Sequence, residues 1–230
     1  MSVLAVIPAR GGSKGIPHKN IIDINGKKLI EYSIEVGIDA KNRHLIDELV
    51  VSTDDSEIAE VSRKAGAAVP FIRPQYLSDD GAKTVDVMIH AYEYYYNKGC
   101  IFDVILLLQP TTPLRSVDDI ASSLDIFYES KMSSLISCYK EEYICDLVSY
   151  HKRGLIAEAL NMNHNRGIRR QDCEDVFVRN GAIYITTAEQ MINNHRVFDD
   201  IPAMYVMPKS RSVNIDCMDD VEMLRWRLSK

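Results

Sequence analysis

Between Arg10 and Lys28 the chain sets five cations, Arg10, Lys14, Lys19, Lys27 and Lys28, against one carboxylate, Asp23. Arg10 and Lys14 sit in the run Arg10-Gly11-Gly12-Ser13-Lys14-Gly15, which follows the apolar stretch Val3–Pro8. Glycines let successive backbone N–H groups converge as an anion nest, and the cations add charge. At the carboxyl end of a strand this combination suits a compact polyanion such as a nucleotide phosphate tail. The run fits neither the Walker A spacing nor the Gly-x-Gly-x-x-Gly dinucleotide pattern, so any phosphate grip is built differently. His18 lies close by, but a lone histidine is more often incidental than catalytic.

These residues need a scaffold, and short apolar runs alternating with longer amphipathic segments predict an α/β sheet covered by helices. Strands are expected at Val3–Pro8, Glu48–Thr53, Val69–Ile72, Asp103–Leu108, Ala182–Thr186 and Ala203–Met207. Helices are expected at Lys28–Gly37, Asp54–Gly66, Thr84–Lys98, Ser116–Ser130 and Asp219–Leu228. Asp103–Leu108 is apolar on both faces, which predicts a central strand, with Pro110 and Pro113 beyond its end. Asp54 or Asp55 caps the second helix and Gly66 closes it. Residues 139–180 are polar with few apolar repeats and are expected to form a lid or subunit-contact excursion from a single domain spanning 1–230.

Composition narrows the class. A formal net charge of -6 disfavours a nucleic-acid coat, so the basic opening is a local anion site. Cys100, Cys138, Cys145, Cys173 and Cys217 are odd in number and contain no Cys-x-x-Cys pair, which points to reduced thiols in a cytoplasmic protein rather than zinc or a disulfide framework. No stretch approaches the ~20 apolar residues that span a bilayer, so no membrane partner is expected.

The run Ile7-Pro8-Ala9-Arg10-Gly11-Gly12-Ser13-Lys14-Gly15-Ile16-Pro17-His18-Lys19-Asn20 resembles the N-terminal signature of the acylneuraminate cytidylyltransferases, the CMP-sialic acid and CMP-legionaminic acid synthetases. Four further stretches match in order: Arg73-Pro74 with Leu77–Thr84; Leu108–Arg115; Arg169-Arg170-Gln171-Asp172; and Asn180–Ile185. The resemblance implies a three-layer Rossmann-like nucleotidyltransferase fold with a mostly parallel sheet and an inserted dimerisation arm. It also implies transfer of CMP from CTP to the anomeric hydroxyl of a sialic-acid-like nonulosonate, N-acetylneuraminate or legionaminate, in a cytoplasmic homodimer.

By the same resemblance Arg10, Ser13, Lys14, Lys19 and Asn20 hold the CTP triphosphate, and Arg10 and Lys19 balance charge during transfer. Arg73, Ala82 and Thr84 surround cytosine and ribose, while Gln109, Arg170, Gln171 and Tyr184 hold the sugar acid. Arg170 suits the sugar's carboxylate because a guanidinium bonds it with a two-pronged fork. The family has aspartate, any residue, aspartate near the C-terminus; here the positions are Asn214 and Asp216. Alternation puts both on one face, so Asp216 is the expected ligand of Mg2+, with Mn2+ as a substitute, and Asn214 adds oxygen without charge. A second departure places Val178 where the family carries arginine, with Arg179 one residue later. No residue stands out as a general base. The rival readings are another sugar nucleotidyltransferase, acting on 3-deoxy-manno-octulosonate or a sugar phosphate, and a non-catalytic nucleotide-binding homologue.

Overall fold

The computed structural model describes residues 1–13, 15–167, 169 and 173–229. Ten strands and six α-helices are assigned among them. The strands are β1 (Val3–Pro8), β2 (Asp23–Ile24), β3 (Lys27–Lys28), β4 (Glu48–Ser52), β5 (Val104–Leu107), β6 (Ser134–Glu141), β7 (Tyr150–Arg153), β8 (Ile156–Ala159), β9 (Val176–Thr187) and β10 (Ala203–Val206). The helices are α1 (Leu29–Asn42), α2 (Ser56–Lys64), α3 (Thr84–Tyr96), α4 (Val117–Ser130), α5 (Ala188–Asn194) and α6 (Met218–Leu228).

Six strands form one mixed sheet in the order β10-β6-β9-β5-β1-β4. The pairs β1–β4, β1–β5 and β10–β6 are parallel, whereas β9 runs antiparallel between β5 and β6. The sheet is therefore mostly parallel with one reversed member. Its apolar strands bury both faces: Val3, Ala5 and Ile7 of β1 join one cluster with Ile30, Ile58 and Leu124 from α1, α2 and α4. Leu4 and Val6 join a second cluster with Met88 of α3 and Met191 of α5. Alternation along a strand that is apolar at every position produces this three-layer packing. A smaller cluster seats α6 against Ile24 and Leu29 through Val221 and Leu224.

Caps and buried ion pairs set the ends. Asp55, not Asp54, caps α2, accepting from the backbone N–H groups of Glu57 and Ile58 at 2.8 and 3.0 Å. Asp119 in the first turn of α4 is buried and accepts from Arg211 and from the Tyr205 hydroxyl at 2.7 Å. Burial pushes its carboxyl upward, but Arg211 and the Ser116 donors outweigh that and hold it below the usual range. This pair ties α4 to the segment after β10, with Asp119 buried and the Arg211 side chain 36% exposed.

Two expectations meet a different outcome, and one helix went unexpected. Val69–Ile72 forms no strand; a single parallel bridge, Val50 to Ala68, marks the place. The polar region expected as an excursion over 139–180 begins and ends in sheet, because Tyr139–Glu141 pair in register with Val176–Val178. The protruding part holds the β7–β8 hairpin, all of whose residues except Ala159 are exposed. α5, with seven residues, carries too short an apolar period to be read from sequence.

Candidate functional site

The carboxyl ends of β1 and β5 open into a cleft of about 450 Å³, lined among others by Arg10, Ser13, Lys19, Asn20, Gln109 and Asp216. Parallel strands end with their carbonyls and following loops on one edge, which is why ligands of such sheets gather there. The opening loop packs too tightly for side chains at two glycines. A Cβ on Gly11 would meet Asp55 Oδ2 at 2.5 Å, and one on Gly15 would meet the Asp216 carbonyl oxygen at 2.5 Å. Gly15 thus brings the first loop against the segment carrying Asp216, joining two parts of the chain two hundred residues apart.

The cations are aimed by neighbouring oxygens. Arg10 Nη1 donates to the Asp79 carbonyl at 3.0 Å and to Asp80 Oδ1 at 3.1 Å. Lys19 Nζ donates to the Ile215 carbonyl at 2.9 Å and lies 3.3 Å from Asp216 Oδ1; its side chain is only 17% exposed. Asn20 is buried and donates from Nδ2 to the Arg10 carbonyl at 2.9 Å, so its amide shapes the loop backbone. Arg73 is buried beneath this rim, with Nε on Ser78 Oγ at 3.0 Å and Nη2 on Asp54 Oδ1 at 3.3 Å. Burial lowers its pKa, and the Asp54 charge opposes that shift. Asp54 also accepts from the Gly11 N–H at 3.1 Å, so one carboxylate braces both the loop and Arg73. Ala82 and Thr84 line the same wall.

Asn214 and Asp216 share a solvent-facing side, alternating with the buried Val213 and Ile215. No strand is formed there, and Ile215 N donates to the Thr111 carbonyl at 2.8 Å. Asn214 Nδ2 donates to Asp216 Oδ2 at 2.5 Å, leaving Oδ1 toward Lys19. Asp220 receives the backbone N–H groups of Asp216 and Cys217 at 2.8 and 2.9 Å. Burial raises the Asp220 pKa, but those donors outweigh it and the net shift is downward. The helix cap is Cys217, so Asp216 is not consumed by capping α6. Among the described residues no group of three or more His, Cys, Asp or Glu side chains surrounds a metal position. Magnesium keeps several waters and needs only one or two protein carboxylates, so Asp216 on the cleft lining fits its donor chemistry.

The second half of the site was less legible. Arg115 is buried and bonds Ser33 Oγ at 3.1 Å, Thr112 Oγ1 at 3.0 Å and the Gln109 carbonyl. Desolvation pushes its guanidinium down to about 9, against the pull of Asp119. It braces the turn that holds Gln109 at the cleft. Opposite, a bulge in β9 places Asn180 beside Ser137, with Ser137 Oγ on Asn180 Oδ1 at 2.6 Å and Ile183 N on Ser137 Oγ at 2.8 Å. Gly181 there has φ +76°, and a Cβ on it would sit 2.8 Å from Gln109 Oε1. Only glycine satisfies both conditions without strain.

Tyr184 is buried and stacks on Phe198, with ring centroids 5.7 Å apart. It does not line the cleft that holds Arg10 and Lys19. Burial raises its pKa, partly offset by Arg179. The Arg179 guanidinium lies 4.7 Å from the Phe198 ring centroid, and neither Arg179 nor Phe198 had been assigned a role from sequence. The signal for Phe198 was absent because it follows α5 in an irregular segment. Lys14, Arg170 and Gln171 lie outside the described residues.

Comparison with known proteins gives a consistent picture. The family described as Cytidylyltransferase matches residues 4–213. A pseudaminic acid cytidylyltransferase of Campylobacter jejuni subsp. jejuni serotype O:2 is 35% identical over 98% of this chain and 95% of its own length. A CMP-N,N'-diacetyllegionaminic acid synthase of Legionella pneumophila subsp. pneumophila is 30% identical over 100% of this chain and 95% of its own. The solved structure of CMP:2-keto-3-deoxy-manno-octonic acid synthetase complexed with CTP superposes with a TM-score of 0.74 over 100% of this chain and 99% of that one. At 16% identity that likeness speaks for the fold alone. No helix among the described residues is long and apolar enough to cross a membrane.

Proposed function

This chain belongs to the cytidylyltransferase family and is a nucleotidyltransferase, and from that membership we propose that it transfers CMP from CTP to the anomeric hydroxyl of a nonulosonic acid. The observation carrying this reading is the cleft in which Arg10, Lys19 and Asp216 converge on one end of the sheet beside Gln109. The acceptor oxygen attacks the α-phosphorus as the bond to pyrophosphate breaks, and the acceptor's proton passes to solvent. Lys19 and Arg10 stand where charge grows on the departing group, and fixed cations in a sheltered cleft stabilise it without reorganisation. The loop at Ser13 and Gly15, which line the cleft, positions the tail, which lowers the entropic part of the barrier. Asp216, with Asn214 holding its carboxylate, would hold magnesium or manganese. That ion, when bound, supplies charge neutralisation at the phosphates.

On the acceptor side, Gln109 at the cleft offers an amide for the sugar's hydroxyls, Arg170 and Gln171 are carried over from the family resemblance for the acid, and Arg179, stacked on Phe198 outside the cleft lining, offers a further guanidinium. The relatives' names widen the acceptor set first expected, N-acetylneuraminate or legionaminate, to include pseudaminic acid. The test is pyrophosphate release with CTP and a panel of pseudaminate, legionaminate, N-acetylneuraminate and 3-deoxy-manno-octulosonate. Turnover with a nine-carbon acid and CTP, with Arg179→Met raising the acceptor KM and sparing that of CTP, is the expected result. Turnover only with 3-deoxy-manno-octulosonate, or only with UTP or GTP, would overturn it, and CTP binding without turnover on any acid would mark a non-catalytic homologue.

A homodimer is proposed as well. The excursion exposes Leu155 and Ile156 on a two-stranded hairpin that is marginal alone, and Leu160 and Met162 just after it. Light scattering at micromolar concentration is expected to give twice the mass of the 26.1 kDa chain, and a monomer mass would refute the assembly.

A further inference from the structure

Away from the cleft, two thiols meet at the root of the excursion. Cys145 Sγ donates to Cys173 Sγ at 3.6 Å, and Cys173 Sγ in turn donates to the Arg169 carbonyl at 3.6 Å. The two residues stand 28 positions apart, on the outgoing and returning limbs of the chain. They line a hollow of about 590 Å³ together with Lys140, Glu142, Ile144 and Asp175. Cys145 is buried and anchored, its carbonyl accepting from Ser149 Oγ at 2.8 Å and from Val148 N at 3.2 Å. Cys173 is half-buried and is the sulfur a reagent in the hollow meets first.

We propose that Cys145 and Cys173 form a reversible dithiol modification site whose reagent is a low-molecular-weight disulfide, and whose oxidation weakens acceptor binding. The thiolate of Cys173 attacks the reagent's S–S bond, giving a mixed disulfide and releasing one small thiol. Cys145 sulfur then attacks Cys173 sulfur, closing the protein disulfide and releasing the second thiol. The protein loses two electrons and two protons, and the reagent gains both. Closing a bond of normal length from the observed contact draws the sulfurs together by about 1.5 Å. Because Cys145 is held by its turn, the movement falls on Cys173. Neither sulfur retains a proton, so the relay ending on the Arg169 carbonyl is lost, and that donor leaves a segment which in sequence runs directly into Arg170 and Gln171.

The effect on the acceptor rests on the cytidylyltransferase reading above, but the chemistry of the pair does not. The experiment treats the full chain with cystamine, a cationic disulfide suited to the acidic rim, then alkylates, digests and weighs the peptides. The expected result is a Cys145–Cys173 cross-link with the protein lighter by two hydrogens, reversed by dithiothreitol. The acceptor KM should rise about fivefold on loss of one hydrogen bond, while the CTP KM holds. Cys173→Ser should abolish both changes. A mixed adduct that persists on Cys173 without the cross-link, or a cross-link that leaves the acceptor KM unchanged, would overturn the proposal. Should reduced protein turn over no nonulosonic acid, the activity reading fails, while the cross-link, which needs no substrate, still decides the dithiol.

Discussion

Replacing Lys19 by methionine is expected to lower kcat by about a hundredfold to a thousandfold while leaving the fold intact, the scale for deleting one fixed charge-stabilising donor. The side chain is mostly sheltered, and its ammonium is fixed by the Ile215 carbonyl and by Asp216, not by core packing. Methionine keeps the stem's apolar contacts and removes only the charge. If Lys19 acts on the departing pyrophosphate, the loss appears in kcat more than in the CTP KM, because the charge it meets grows during bond breaking. Single-turnover rates with CTP and a responsive acceptor check this, with circular dichroism confirming the fold. A kcat within threefold of the native value would mean that Lys19 merely ties the first loop to the C-terminal segment.

The second large effect concerns Asp216. Asp216→Ala is expected to cut turnover by about a hundredfold or more and to flatten its dependence on magnesium, since a carboxylate ligand is lost. Most of the Asp216 side chain is exposed and the residue caps no helix, so its removal has little structural cost. The companion variant Asn214→Asp separates ligand from scaffold. At present the Asn214 amide donates to Asp216 at 2.5 Å. Two carboxylates in that place repel unless a cation sits between them, so the magnesium concentration for half-maximal rate should fall. Titration of turnover and of thermal stability against magnesium reads both variants. An Asp216→Ala protein with native turnover and native metal dependence would remove this residue from the chemistry.

Much of the scaffold and of the loop that lines the cleft could be read from the chain because both are locally written. β1 and β5 are unbroken apolar runs, α2 and α4 begin on capping residues, and the glycine-rich loop is one contiguous stretch. What was hidden depends on distant partners. Nothing in Val176–Thr187 announces that it enters the sheet antiparallel, because direction is decided by β5 and β6. Val69–Ile72 has strand composition, yet only Ala68 finds a bridge, so propensity was overruled by the absence of a neighbour. Arg115 looked like the last letter of a motif; its work under Gln109 depends on Ser33, from another helix. Arg179 acquires an aromatic platform only when the chain after α5 returns to β9.

The placement of β9 has a mechanical consequence. The chain leaves the body along β6 and comes home along its hydrogen-bonded neighbour, so both roots of the protrusion are clamped to each other in the middle of the sheet. Such a lever cannot swing freely at its base. A load applied to the outer end of β9 travels down that strand to Gly181, whose backbone rests against Gln109 with no side chain to cushion it. Whatever presses on the outer end of β9 therefore pushes, through one continuous strand, on the cleft wall that carries Gln109.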